Sequence, residues 1–588
     1  MGTDNNLLKK MYSSILIVNV IGIVSGIACV MVDAMVTGRF LGEDAVAAAG
    51  LLQPVVLVIN LVVTLFGGGL GTLLTRYLGK AQHDKVNQVY STSMLISIVL
   101  TIALNAIVFF CAPVIASVLG RNTGSDEIVR MISDYLRGFS FSLLPQRINI
   151  LLAGIMVVDN DKRRSMMCMG TTLVMDIIFD LANVIIFHGG MFGMAIATVL
   201  SCVAGFLVMM THFFRKNRVL RFSPKYFNAS HIKDIVLCGA PSSLTMGGQA
   251  LRTACYNAVL LAIAGKSAVA AISVCFSSFS IVFAVALGIF VSTSVISSLL
   301  YGEEDRHGLE TVTSISIKST LSIFCVVTLL MLLFPKVVAA LFIKTNSADA
   351  LVQAARFIRL MAVQFIVMVV SFPVTGIYQG TRQFKLNYLI NIMREAGFPV
   401  ICVTVLGKLF GLRGVEAAIV LSGVLVLILC CIIPVIYNGT FPKKAADFLI
   451  LSDDFGASPD ELYEASMHDM NDVINSSEEV RNFCINRGID KKQAVHMALF
   501  IEEMAGNTIE HGYAEGEEKN VNLRLILHGD SGVIRMRDDG KPFDPIRWLE
   551  KNSGDDPVSG LGIRVVTGLA KNVHYMAAME MNNLIITL

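Results

Sequence analysis

Leu41-Gly-Glu-Asp-Ala-Val-Ala-Ala returns as Ala264-Gly-Lys-Ser-Ala-Val-Ala-Ala, 223 residues further along the chain. The same shift lays Gly79 on Gly302. With one residue less, Pro113 falls on Pro335, Arg137 on Arg359 and Gly154 on Gly376, and a shift of 221 lays Gly190 and Gly193 on Gly411 and Gly414. Composition alone does not produce near-constant spacing over so long a stretch, so the chain carries an internal duplication.

The repeated material is apolar. Of 588 residues, 54% are hydrophobic and only 16% charged, with a mean hydropathy of +0.67, more than a soluble chain can bury. Runs such as Met11 to Val36, Leu51 to Leu74 and Val415 to Tyr437 reach the length that crosses a bilayer. Twelve spans are expected, beginning near residues 11, 46, 88, 131, 165, 191, 234, 269, 314, 352, 386 and 413. An even number puts both termini on one side of the membrane. Arg76, Lys80 and Lys85, then Lys162, Arg163 and Arg164, then Arg215, Lys216, Arg218 and Arg221, then Arg382 and Lys385, then Lys443 and Lys444 all follow even-numbered spans. Both ends are therefore expected in the cytoplasm of a multi-pass plasma-membrane protein. Each repeat holds six spans, so the halves share one orientation, bind substrate between them and alternate access by rocking. Met1 to Lys10 is short and polar, without a cleavage pattern after the first run, which stays as helix 1.

Net charge is +2 and Trp548 is the lone tryptophan, which excludes a nucleic-acid partner. The cysteines sit mostly inside apolar runs (Cys29, Cys111, Cys202, Cys325, Cys430, Cys431) without metal-ligand spacing and read as small buried hydrophobes. Gly67-Gly-Gly-Leu-Gly reads as close helix packing. Gly265-Lys-Ser, with Leu260 where a phosphate loop needs glycine, is a decoy.

Intramembrane acids call for an explanation, since an ionised carboxylate there costs about 2.5–3.5 kcal/mol. Asp33 lies in span 1, and Asp176 and Asp180 in span 5, four residues apart on one helix face, with Asn183 three further on. Together they could form a cation or proton site; the plainer alternative is that Asp33 caps a helix end or pairs with a basic residue and that one of the span 5 pair is interfacial. The second half shows no acid at comparable depth, which puts the expected ion site in the first. Asp33-Ala-Met-Val-Thr-Gly-Arg-Phe-Leu-Gly-Glu-Asp-Ala-Val-Ala-Ala-Ala-Gly-Leu, then Gly154, then Gly193-Met-Ala-Ile-Ala-Thr, resemble the multidrug and toxic compound extrusion (MATE) transporters over residues 10 to 440. The resemblance implies twelve helices in two six-helix bundles, and export of small organic, often cationic, compounds in exchange for Na⁺ or H⁺. Asp33 and Asp180 match the family's acids on the first and fifth helices. Asp176 stands where the family pattern has Asn, which adds a charge.

After Tyr437 the composition turns polar, and residues from about 446 alternate strand-like runs (Val521 to Leu527, Val533 to Arg537, Leu584 to Leu588) with helical ones (Lys491 to Ile509, Ile563 to Ala570). Glu503 and Asn507 share a helix face: a carboxylate able to take a proton and an amide able to hold Mg²⁺. Asp538 could accept from an adenine amino group, with Gly540 allowing close approach, and Gly560 and Gly562 would offer N–H groups to phosphates. Glu502, Glu510, His511 and Asp539 read as structural or surface residues. Glu502-Glu-Met-Ala-Gly-Asn-Thr-Ile-Glu-His-Gly, Arg537-Asp-Asp-Gly and Gly560-Leu-Gly-Ile-Arg together resemble the GHKL ATPases, most closely the anti-sigma-factor serine kinases, over residues 465 to 588. That resemblance implies ATP and Mg²⁺ as cofactors, with Glu503 as base, Asn507 as magnesium ligand and Asp538 as adenine contact. The lid between Trp548 and Gly560 is short.

The expected architecture is thus an all-α polytopic membrane protein (1–218 and 219–440, one six-helix bundle each), a linker (441–464) and a soluble α+β ATPase-like sandwich domain (465–588). The expected function is a Na⁺- or H⁺-coupled exporter with a cytosolic ATP-binding regulatory domain. The alternative is a membrane-tethered signalling protein with serine kinase activity on a cytosolic protein partner. Hydrolysis of ATP, phosphoryl transfer to serine or threonine, and binding alone need the same residues, and the sequence leaves them open. An ATP-driven pump is disfavoured, because no Walker A sequence is present.

Overall fold

The computed structural model describes residues 6–121, 125–214, 220–342, 348–529, 531–552 and 560–588. Arg215, Lys216 and Arg218 of the expected basic loops, and residues 553–559 of the expected lid, lie outside the described residues. The first half runs through α1 (Asn6–Val36), α2 (Glu43–Leu65), α3 (Leu70–Gly79), α4 (His83–Gly120), α5 (Asp126–Ser140), α6 (Leu143–Val158), α7 (Lys162–Ala182) and α8 (Gly190–Met210). The second runs through α9 (Ile232–Gly302), α10 (Arg306–Leu333), α11 (Pro335–Phe342), α12 (Ala348–Val367), α13 (Ser371–Gly380), α14 (Phe384–Ile392) and α15 (Phe398–Asn438). Large apolar side chains such as Phe110, Val118, Ile186, Leu409 and Ile436 point outward, as a lipid-facing surface requires.

By length and composition seven described helices can cross a membrane, or nine if two bent pairs, Asp126–Ser140 with Leu143–Met156 and Leu351–Val367 with Ser371–Gly380, count as one span each. The expected twelve are not reached by that measure. Part of the reason is that α9 and α15 each contain a glycine outside helical geometry, Gly265 (φ 75°) and Gly411 (φ 60°). At Gly411 the chain doubles back, since a Cβ on Gly414 would collide with the carbonyl of Leu406. The duplication is visible here in backbone angles. Gly42, which the repeat lays on Gly265, has φ 87°, and Gly190, laid on Gly411, has φ 59°. All four occupy the left-handed region, where a Cβ is strained, so glycine is retained at matching turns in both halves.

The C-terminal domain comprises β1 (Leu462–Met467), α16 (Met470–Asn486), α17 (Lys491–His511), β2 (Val521–His528), β3 (Ser531–Asp538), α18 (Pro545–Lys551), α19 (Leu561–Leu569), β4 (Asn572–Ala578) and β5 (Met581–Thr587). Its sheet is antiparallel in the order β1-β2-β3-β5-β4. Asp469, Asp490 and Asp544 cap α16, α17 and α18 by accepting from Asp472 N, Lys492 N and Ile546 N. One sheet face, with Leu523, Leu525, Ile534 and Ile586, closes a core against Val480, Phe500 and Ile501 of the helices. The other face does not meet solvent alone. Met576, Ala578, Met579 and Met581 of the β4–β5 hairpin join the apolar core of the membrane part, with Leu152, Ile155 and Val158. β1, β4 and α16 were not among the expected elements.

Candidate functional site

The four-residue spacing on α7 puts Asp176 and Asp180 on the face that meets Asp33 of α1. One carboxylate oxygen of each lies within 4.8 Å of the others. Asp176 and Asp180 are fully buried. Ser201 on α8 donates to Asp176 Oδ1 (2.8 Å), whereas Asp176 Oδ2, both oxygens of Asp180 and Asp33 Oδ1 meet no donor in hydrogen-bond geometry among the described residues. A π-helical turn follows each helix of this cluster, Thr37–Leu41 after Asp33 and Asn183–Phe187 after Asp180, and such turns recur at functional sites. Asn183 is not drawn in. Its Oδ1 accepts from Gly189 N (3.1 Å) and its Nδ2 donates to Gly190 O (3.2 Å), bracing the turn before α8.

The second half does hold a buried acid, against the expectation that it has none. Glu395 lies in a third π-helical turn, Met393–Gly397, with no exposure. It is matched by its neighbour Arg394 (Nε to Oε1, 2.9 Å) and by Arg252 of α9 (Nη1 to Oε2, 3.2 Å). Arg394 also donates to Asn391 Oδ1 (2.6 Å) and lies 4.2 Å over the Phe372 ring. The sequence signal was Arg394-Glu395 itself, two opposite charges inside an apolar span.

In the C-terminal domain the expected nucleotide residues converge. Glu503 of α17 faces Gly562 at the start of α19 so closely that a Cβ on Gly562 would collide with its carboxylate. Asp538 ends β3, buried, accepting from Gly540 N (2.9 Å) and Asn582 Nδ2 (2.7 Å). Burial pushes its carboxyl up to about 6, with the two hydrogen bonds opposing. Gly540 approaches the carbonyl of Gly512, where a Cβ would lie at 2.8 Å. Gly560 opens α19 at φ 65° against the Trp548 ring. Asn507, half-buried, is one turn along α17 from Glu503 and makes no hydrogen bond among the described residues. These residues fit a nucleotide: a cradle closed to side chains at Gly562, a buried acceptor at Asp538, and an uncapped helix start at Gly560. Glu502 accepts from Ser477 Oγ and Asp539 from Tyr513, so both serve the fold.

β3 alternates. Ile534, Met536 and Asp538 face the helices, and Arg535 and Arg537 face the membrane part. There both guanidinium groups meet Glu303, the residue after α9 (3.0 and 2.5 Å). Burial alone would raise the Glu303 carboxyl, but Arg535, then Arg537, hold it below the ordinary carboxylate range. Arg535 also donates to Gly79 O (3.1 Å), at the end of α3. Gly79 and Gly302, the pair related by the internal repeat, meet backbone to backbone: a Cβ on either would collide with the other helix, at Leu299 O or Arg76 O. Small hydroxyls line the same seam, with Thr75 donating to Val295 O (2.9 Å) and Thr72 bonded to Ser294 (3.1 Å). At this end the two halves are closed on each other, and the sheet straddles the closure. Met579 N and Glu580 N bond to Val158 O (3.3 Å) and Asn160 Oδ1 (3.0 Å) of the first half, and Lys10 pairs with Asp539 (2.6 Å). None of these pairs was legible from the sequence.

Residues 23–182 and 241–402 match the MatE family model, in two blocks that together exceed half of the chain. The chain belongs to the MatE family. Its C-terminal 469–588 matches the Histidine kinase-like ATPase domain, so a MATE transporter is fused here to a GHKL-like, ATP-binding type of domain. Relatives of the MatE part include Multidrug export protein MepA of Staphylococcus haemolyticus (strain JCSC1435), 25% identical over 373 residues, spanning 63% of this chain and 80% of that protein. MepA of Staphylococcus saprophyticus is 24% identical over 399 residues, 65% of this chain and 84% of that one. Among solved structures, a multidrug resistance MATE family transporter in an outward-facing conformation superposes with a TM-score of 0.66 at 23% identity, over 73% of this chain and 97% of that one. A MOP superfamily transporter from Pyrococcus furiosus Vc1 gives 0.65 at 23%, over 72% and 94%. These structures share the MatE fold.

Proposed function

We propose that the protein is a secondary antiporter that exports organic compounds across the plasma membrane in exchange for Na⁺ or H⁺, and that its ATPase-like domain governs when the halves open toward the cytoplasm. The observation that carries this reading is Arg535, which holds Gly79 of one half and Glu303 of the other across the closed seam. The halves cannot part at that end while the sheet bridges them. The acid cluster supports ion coupling: three carboxylates at such spacing repel unless a proton or cation sits among them, and what they bind changes the balance between open states. Asp33, Asp176 and Asp180 take that role and Asn183 braces their helix. The basic loops after even-numbered spans support a cytoplasmic position for both termini and the ATPase-like domain. We take 1–218 and 219–440 as the two bundles, 441–464 as the linker and 465–588 as the regulatory domain.

In that domain Glu503 would accept a proton, Asn507 would hold Mg²⁺, Asp538 and Gly540 would seat adenine, and Gly560 and Gly562 would lie along the phosphates. ATP supplies a transferable phosphoryl group when bound. β3 carries Asp538 on one face and the seam arginines on the other, so occupancy of the nucleotide site and strength of the bridge share one strand.

The test is movement of fluorescent organic compounds in inverted vesicles under a sodium or proton gradient, for wild type, Asp33→Asn, Asp180→Asn and Asn507→Ala, with and without ATP. Movement abolished by the Asp changes, and altered in its ATP dependence alone by Asn507→Ala, is expected. No gradient-driven movement, with ATP-dependent phosphorylation of a cytosolic protein that needs Glu503 and Asn507, would establish the signalling alternative instead.

A further inference from the structure

We infer that the break between α2 and α3, together with Arg147 of α6, is a binding site for an anionic group, a carboxylate, sulfonate or phosphate, on the compound that this chain moves. Transport of that compound rests on the exporter reading; the binding site does not.

The break lies within the apolar run Leu51 to Leu74, which is long enough to cross a bilayer. α3 runs ten residues from Leu70 to Gly79 at the closed seam, about 15 Å at helical rise, half of a hydrocarbon core of about 30 Å. Arg147 lies at matching depth, eleven residues before Val158, the α6 terminus that bonds Met579 of the sheet. Residues 66–69 leave the helix in a chain of turns through Gly67, Gly68 and Gly69, and α3 starts afresh at Leu70 with no side chain capping its first amides. A helix restarted inside the bilayer points its positive end at whatever occupies the break, the arrangement by which broken transmembrane helices hold anionic substrate groups.

The second observation is independent. Arg147 is 4% exposed, forms no ion pair or hydrogen bond among the described residues, and its Nη2 is a buried donor without an acceptor. It is aimed at the break, because its guanidinium fills the space where Gly67 would carry a Cβ. A guanidinium cannot shed its proton, so a buried one needs an anion. The second half shows the arrangement completed. Arg394, equally buried at 2%, reaches Ser371 Oγ (3.4 Å) at the start of α13, after the break at 368–370, and its charge is met by Glu395. Arg147 meets no such carboxylate among the described residues. The break also abuts the second half, with Gly68 against Ser242 and Gly69 against Cys238 of α9. A ligand there sits between the halves, where such transporters alternate access. The acid cluster lies apart from Arg147, which leaves it to take the coupling ion while the arginine takes the anionic group.

The test uses the full chain, purified in detergent for binding and in proteoliposomes for transport, with carboxyfluorescein as the anionic probe and rhodamine 123 as the cationic one. Fluorescence anisotropy should show carboxyfluorescein bound by wild type, weakened about tenfold or more in Arg147→Gln and within a few-fold of wild type in Arg147→Lys. Ligand-free Arg147→Gln should melt no lower than wild type, since it removes an unmatched buried charge. Gly67→Ala, whose methyl occupies the guanidinium's space, should weaken carboxyfluorescein binding as well. Equal binding by wild type and Arg147→Gln, or no binding by wild type, overturns the site; so does an Arg147→Gln protein that melts well below wild type, which marks a structural arginine. Binding that depends on Arg147 without gradient-driven movement of either dye keeps the site and removes the exporter reading. Rhodamine 123 movement with anion binding indifferent to Arg147 does the reverse.

Discussion

Glu303 concentrates the account at one residue. It is buried between Arg535 and Arg537, with Arg524 close to the adjoining Asp305 (3.8 Å). Removing one partner of a buried ion pair leaves the other uncompensated, typically at about 3–5 kcal/mol. Glu303→Gln is therefore expected to loosen the domain from the membrane part, seen as faster proteolysis of the 441–464 linker, while Glu464→Gln at the sheet's edge changes it little. The pH dependence follows in sign. Glu303 in the folded chain titrates below its unfolded value, so its contribution is present above the unfolded carboxylate range, near 4.3, and is lost as pH falls through the folded value. Docking should hold at pH 7 and weaken only as pH falls below the ordinary carboxylate range. Asp538 behaves oppositely. With its carboxyl raised to about 6 by burial, it is protonated below that pH and accepts more weakly from an adenine amino group. ATP affinity, followed through the single Trp548 beside Gly560, should fall as pH drops through about 6, and Asp538→Asn should remove both the affinity and its pH dependence. At this scale the sequence was legible wherever a motif is local. Glu503 meets Gly562, Asp538 accepts from Gly540 N, and Asp33, Asp176 and Asp180 bring their carboxylates together. Asn183 shows the limit of that reasoning, because spacing finds a helix face and not the loop amide that claims the side chain.

Among the elements, the spans were legible from hydropathy and the central strands from alternation. β2 and β3 bury every second residue, which is the pattern a half-covered sheet imprints. β4 was not, because Asn572-Val-His-Tyr-Met-Ala-Ala has one face against the membrane part and lacks a polar side. β1 at the sheet edge alternates only over its last residues. The β4–β5 turn carries a consequence of its docking. Met579 and Glu580 both have positive φ (54° and 63°), a two-residue turn in which Asn-Gly is the relaxed choice. Here those positions are instead spent on contacts: Met579 in the apolar core, and Glu580 on Lys162 and Ser14 (2.8 Å). Glu580→Gly should relax the hairpin and yet weaken its docking, so that thermal melting changes by less than about 1 kcal/mol while linker proteolysis accelerates. An equal gain in both would show that Glu580 does not hold the two parts together.

For the whole molecule the sequence read the parts and missed their assembly. The duplication and the ATPase-like domain were legible, and the matched glycines Gly42 with Gly265 and Gly190 with Gly411 show the repeat surviving in backbone angles. Contacts between Gly79, Glu303 and Arg535 join positions more than two hundred residues apart, and no periodicity encodes such a meeting. Yet this is where the protein departs from a transporter with an appended domain. On the proposed reading, a sheet laid across the seam would give the ATPase-like domain leverage on alternating access, because the seam's small hydroxyls could exchange each other for water as the halves part, whereas the buried Glu303 cluster would first have to be broken. The most direct measurement is the distance across that seam, by electron–electron resonance between spin labels at Asp84 on α4 and Lys385 on α14, both exposed helix starts on opposite halves, with reactive native cysteines replaced. A single short distance in the wild-type background, joined by a longer one when Glu303→Gln is added, is the predicted result. The same single distance with and without Glu303 would contradict the claim that the ATPase-like domain holds the halves closed.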